Sequence, residues 1–67
     1  MKLRVNGHEL TIDASVETVE QLLDYLQLNK ELAIVELNAN ILEKDVRDDV
    51  RIQAGDCVEI VQFVGGG

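Results

Sequence analysis

Gly55-Asp-Cys-Val-Glu-Ile-Val-Gln-Phe-Val-Gly-Gly-Gly67 is the stretch on which the fold and function of this chain turn. Ala54-Gly55-Asp56 has the residues of a turn. Cys57 to Val64 is rich in β formers (Val58, Ile60, Val61, Phe63 and Val64) and reads as the last strand. Side chains alternate across a strand, so Val58, Ile60 and Val64 share one face while Val61 and Phe63 take the other. If a helix covers the first face, Val61 and Phe63 form an exposed apolar pair, a candidate partner-docking patch. The strand runs straight into Gly65, Gly66 and Gly67. Glycine has no Cβ and loses the most entropy on ordering, so a domain over residues 1–64 with a flexible glycine tail over 65–67 is expected. Four residues from Val64 reach ~13 Å. Two readings stand side by side: a frayed end, or a slim terminal carboxylate that enters another protein's active site.

Upstream, Lys2-Leu-Arg-Val5 alternates polar and apolar residues with the period of a half-buried strand. Asn6-Gly7 follows, the strongest short hairpin signal, and the return strand is expected over Glu9 to Ile12. Thr18 and Gln21 have the spacing of a capping box, and Val19, Leu22, Leu23 and Leu26 form an apolar stripe at helical spacing. This predicts a helix from Thr18 to about Gln27, with Asn29 as its C-cap. Ala33 to Leu37 reads as a strand, Asn38-Ala39-Asn40 as a turn and Ile41-Leu42 as a short strand. Glu43 to Val50 is charged and irregular, with room for one helical turn. One helix on one face of a mixed sheet is the economical arrangement, an α+β domain.

Composition narrows the function. The chain has 67 residues and one cysteine, Cys57. A domain of this size buries only about 60% of the surface that its unfolded chain exposes, which leaves little structure for a deep catalytic pocket. Thirteen acids against six bases give a net charge of −7, the opposite of a nucleic-acid footprint and unfavourable on anionic membranes. No apolar run approaches a membrane span. Met1 to Leu10 is charged throughout, unlike a signal peptide, so a cytoplasmic protein is expected. With His8 the single histidine, no His/Cys metal site is expected. Asp45, Asp48 and Asp49 lack the spacing and glycine hinge of a hard-cation loop. Cys57 is expected to be a partly buried structural thiol, His8 a solvated turn residue and Tyr25 a side chain packed at the domain's edge. No nucleophile, base and anion hole can be assembled, so no catalytic residue is assigned.

Taken together, these segments resemble the ThiS-type sulfur carriers, with the ubiquitin-like β-grasp fold. The likeness covers the whole chain and rests on Leu3-Arg-Val-Asn-Gly7, Thr18-Val-Glu-Gln-Leu-Leu23, Val35-Glu-Leu-Asn38 with Ile41-Leu42, and the terminal stretch quoted above. The resemblance implies that the Gly67 carboxylate is adenylated by an E1-like, ThiF-type adenylyltransferase that uses ATP and magnesium. It further implies conversion to a thiocarboxylate with sulfur from a persulfide donor such as a cysteine desulfurase. The sulfur would pass to a ThiG-type thiazole synthase that builds the thiazole ring of thiamine. The carrier catalyses nothing and binds no cofactor in that scheme. Ala39 departs from the glycine common in the family after the position of Asn38, and Glu43-Lys44 replaces a segment that often contains proline or arginine. Molybdopterin sulfur carriers, ubiquitin-like modifiers of lysines and plain β-grasp interaction modules remain alternative functions.

Overall fold

In the computed structural model, residues 1–62 are described. Strand β1 (Lys2–Val5) and strand β2 (His8–Thr11) form an antiparallel hairpin with Val5 opposite His8. The two residues between them, Asn6 (φ 50°) and Gly7 (φ 82°), are both left-handed. That is the type I′ geometry whose twist matches that of the strands it joins. Leu3 and Val5 point into the core as the alternation requires. The return strand starts one residue earlier than expected. Ile12, just past it, is buried and exchanges backbone hydrogen bonds with Met1: Ile12 N–H to the Met1 carbonyl at 2.7 Å, and the Met1 amino group to the Ile12 carbonyl at 2.9 Å.

Helix α1 (Val19–Tyr25) begins at Thr18 with both halves of the predicted capping box. Gln21 N–H donates to Thr18 Oγ1 at 3.2 Å, and Thr18 N–H donates to Gln21 Oε1 at 3.1 Å. The two remaining free N–H groups of the first turn find carbonyls on a later segment, Val19 at Val50 (3.0 Å) and Glu20 at Arg47 (3.1 Å). The opposite end differs from expectation. The left-handed residue that closes the helix is Gln27 (φ 60°), not Asn29. Leu28 N–H reaches the Leu23 carbonyl and Gln27 N–H the Asp24 carbonyl, both at 3.0 Å, the paired bonds of a Schellman motif. Those bonds stop the helix at Tyr25, two residues short of the expected end. Asn29 instead makes a local turn, its Oδ1 accepting from Glu31 N–H at 3.1 Å. Seven residues are too few for a helix that is stable in isolation. Complete burial of Val19, Leu22 and Leu23 against the sheet holds it in place.

Strand β3 (Ala33–Leu37) and strand β4 (Asn40–Leu42) form a second two-residue hairpin through Asn38 and Ala39, both at positive φ. A single 3₁₀ turn over Lys44–Val46 is the only helical turn described in the charged segment. Strand β5 (Cys57–Gln62) completes a five-stranded sheet of order β2-β1-β5-β3-β4. It runs parallel to β1 and antiparallel to β3, so the sheet is mixed, with the helix on one face. This is the ubiquitin-like β-grasp arrangement. The residues after Gln62, including the last part of the strand expected to reach Val64, lie outside the described residues.

Arg47 is the one buried charged residue described, at 2% exposure. Its guanidinium donates to the carbonyls of Lys30 (Nη2, 3.0 Å) and Ala33 (Nη1, 3.3 Å). Nε lies 3.9 Å from Glu20 Oε1, close enough for charge attraction but with no hydrogen bond formed by either atom. Arg47 thus ties the helix, the loop after it and the start of β3 together. In the sequence it sits inside the stretch read as irregular, where nothing marks it as interior.

Candidate functional site

The strand that leads to the terminal glycines occupies the centre of the sheet. Val58 and Ile60 face the helix and are buried, while Cys57, Glu59 and Val61 face the open side. Val61 is 59% exposed, as the alternation predicts. Phe63, the other expected docking residue, and Gly65, Gly66 and Gly67 lie outside the described residues. Two further apolar side chains share the open face. Ile34 stands directly opposite Val61 on β3, and Ile41 on β4 lies opposite Glu36. Ile34 is 42% and Ile41 67% exposed. Neither was singled out from the sequence, although the alternation Ala33 in, Ile34 out, Val35 in was there to be read.

The electrostatics of this face are acidic at its centre. Glu36 and Glu59 are direct cross-strand partners, a pairing of like charge that costs stability. Beyond Ile41, an open groove of about 670 Å³ runs between β3, β4 and the 3₁₀ turn, lined by Ile34, Ile41 and Leu42 with Glu43, Lys44 and Asp45. At its rim, Lys44 Nζ bonds Glu31 Oε2 at 3.0 Å, and this partner holds the Glu31 carboxyl below the usual carboxylate range. Lys30 is shifted upward, first by its hydrogen bond to Asp24 (3.0 Å) and then by the nearby Glu20. Both are ordinary exposed pairs.

Side-chain amides fix the strand itself. At its start, Asn38 Oδ1 accepts from Cys57 N–H at 2.9 Å while Asn38 N–H donates to the Cys57 carbonyl at 2.8 Å. In its middle, Asn6 Oδ1 accepts from Ile60 N–H at 2.7 Å and Asn6 Nδ2 donates to the Ile60 carbonyl at 3.1 Å. At its end, Gln62 Oε1 accepts from Asn29 N–H at 3.0 Å. The sequence reading gave Asn6 and Asn38 turn roles only.

Cys57 is exposed rather than partly buried, because the register that turns Val58 inward turns Cys57 outward. His8 is exposed beside the first turn, as expected. Tyr25 is 47% exposed, so it is less packed than a position at the domain's edge suggested. Among the described residues no three His, Cys, Asp or Glu side chains are placed to hold a metal ion, and Asp45, Asp48 and Asp49 form no such group. No described helix is long and apolar enough to cross a membrane.

A mixed five-stranded sheet carrying one capped helix, with its central strand leading to the terminal glycines, defines a ubiquitin-like β-grasp protein. Comparison with known proteins is more specific. The model of the ThiS family matches residues 3–67. The chain belongs to that family. It is 37% identical over 65 residues to the sulfur carrier protein ThiS of Bacillus subtilis (strain 168), covering 97% of this chain and 98% of that one. It is 43% identical over 67 residues to a thiazole synthase of Paramagnetospirillum magneticum, of whose length it spans 20%. The crystal structure of the thiamine biosynthesis protein ThiS from Geobacter metallireducens superposes with a TM-score of 0.84 at 39% identity, over all of both chains.

Proposed function

We propose that the reacting group of this sulfur carrier is the carboxylate of Gly67, and that its sulfur serves thiazole formation in thiamine biosynthesis. The observation that carries this reading is the extent of the family match, which runs through the terminal glycines to residue 67. A terminal glycyl carboxylate has no side chain beside it, so a nucleophile approaches its carbonyl carbon without hindrance. In the proposed cycle a ThiF-type enzyme, using ATP and magnesium, joins a Gly67 carboxylate oxygen to the α-phosphorus and releases pyrophosphate. The terminal sulfur of a persulfide, from a donor such as a cysteine desulfurase, then displaces AMP. A thiol cleaves the resulting S–S bond and leaves the thiocarboxylate. The carrier contributes the tail and a docking face, and the catalytic groups belong to its partners. The match to a thiazole synthase that holds a similar segment within one longer chain supports a ThiG-type enzyme as sulfur acceptor. The need for ATP at the first step fits a cytoplasmic site of action.

The open face carries the docking half of the proposal. Val61 with Ile34 and Ile41 forms the apolar surface that meets the adenylating enzyme. Intact mass tests the tail. After incubation with the activating enzyme, ATP, magnesium and a sulfur donor, the carrier gains the mass difference between sulfur and oxygen at Gly67. A chain lacking Gly67 gains nothing. An isopeptide to a second protein would identify a lysine modifier instead, and sulfur uptake by the shortened chain would exclude the terminal carboxylate.

A further inference from the structure

Asn6-Gly7 carries a chemistry that its role as a turn does not use. Glycine has no Cβ, so its backbone nitrogen can approach the carboxamide carbon of a preceding asparagine without hindrance. In that reaction the Gly7 nitrogen forms a bond to Asn6 Cγ and gives its proton to a solvent base. The Cγ–Nδ2 bond breaks, and Nδ2 takes up a proton and leaves as ammonia. Water then opens the cyclic imide at one of its two carbonyls, giving an aspartate or an isoaspartate. Asn6 is the one asparagine of the chain that precedes a glycine. Both residues of the turn are exposed, and no atom lies within 4 Å of where a Gly7 Cβ would stand, so water has access.

In the folded chain both ends of that carboxamide are occupied. Oδ1 accepts from Ile60 N–H at 2.7 Å and Nδ2 donates to the Ile60 carbonyl at 3.1 Å. Cyclisation folds the side chain back over its own backbone, so both bonds to β5 must break first. The other half of the turn is held as well, its Gly7 carbonyl accepting from Arg4 Nη1 at 3.1 Å. We propose that Asn6 is a deamidation site closed by its clamp on Ile60: the amide is lost when β5 parts from the first hairpin, and its loss weakens that junction for good. After conversion a carboxylate oxygen stands where Nδ2 donated, facing the Ile60 carbonyl. An isoaspartate also lengthens the backbone of a two-residue turn, whose length sets Val5 opposite His8. The inference is independent of the Gly67 reading.

The experiment ages the full chain at mildly alkaline pH, folded in buffer and unfolded in urea. Conversion is followed by intact mass and ammonia release, and placed by mapping of proteolytic fragments. Asn38 is the internal control: it also sits first in a two-residue hairpin turn, but the Cβ of Ala39 hinders attack by the next nitrogen. In the unfolded chain Asn6 is expected to convert well ahead of Asn38. Two hydrogen bonds of ordinary net strength slow the opening, so the folded chain is expected to convert at Asn6 about tenfold more slowly or less. Hydrogen exchange at Ile60 N–H reports the same opening, because that group donates to Asn6 Oδ1. Deamidation is expected to be protected at least as strongly as that exchange. The Asn6→Asp variant, which carries the aspartate product, is expected to melt about 4–8 °C below the parent. A folded chain that slows conversion less than about threefold overturns the proposal, as does deamidation less protected than Ile60 exchange, since Asn6 would then react with the clamp closed. An unfolded chain in which Asn6 converts no faster than Asn38, or an Asn6→Asp variant that melts with the parent, overturns it too. The rate measurements use the parent chain alone, so they decide even if Asn6→Asp does not fold.

Discussion

The pair formed by Val61 and Ile34 shows how one register can serve two purposes. Directly opposed on neighbouring strands, the two side chains stabilise the sheet through cross-strand contact and still leave much of their surface to solvent. In a small acidic domain such surface invites unwanted association unless a partner covers it. The Glu36–Glu59 pair beside it places like charge on this face, which opposes the approach of a second copy of the same face. Replacing Ile34 and Val61 together by Ser is therefore expected to weaken binding to the adenylating enzyme about tenfold, in line with loss of a central apolar anchor. The melting temperature should fall by about 4–8 °C at most, since the lost cross-strand contact is worth up to about 1 kcal/mol and neither residue belongs to the buried core. A titration with unaltered Kd would show that the enzyme docks elsewhere.

Among the elements, the two hairpins make an instructive contrast. Both use a two-residue turn with positive φ at each position, and both were legible because Asn-Gly and Asn-Ala-Asn are turn chemistry placed between apolar runs. The first has glycine at its second position, where the left-handed region costs nothing. The second has Ala39 at φ 73°, where its Cβ crowds the backbone. Ala39→Gly is expected to stabilise the domain by about 1 kcal/mol, net of the extra freedom that glycine gives the unfolded chain. In a thermal melt of a domain this size that is a rise of about 4–8 °C; a fall would mean that strain at Ala39 is relieved in some other way. The N-terminal cap of the helix was legible for a similar reason, since Thr18 and Gln21 satisfy each other within one turn. Its C-terminal end was not. A glutamine in the left-handed conformation at position 27 follows from how Leu28 docks, and no local residue preference announces it.

Across the whole molecule, the features that escaped sequence reading are those made by residues far apart in the chain. Arg47 is interior because carbonyls of Lys30 and Ala33 converge on it, and a charged stretch gives no sign of that. Asn6 reaches Ile60 across 54 positions. Arg47→Ala would take the guanidinium donors from one buried and one partly buried carbonyl, though Glu20 keeps Lys30 as a partner at 3.4 Å. The expected loss is about 3 kcal/mol by urea denaturation, a large share of the roughly 3–5 kcal/mol that so small a core supplies. A loss below about 1 kcal/mol would show that water replaces the guanidinium. The central place of β5 carries a consequence for how the protein is made. Since β1 and β3 meet only through this final strand, a chain interrupted before Cys57 has two separate hairpins and no sheet to lay the helix on. Assembly must wait for the most distant segment, which slows it: until Cys57–Gln62 is in place, neither hairpin has the neighbour that turns two ribbons into one sheet.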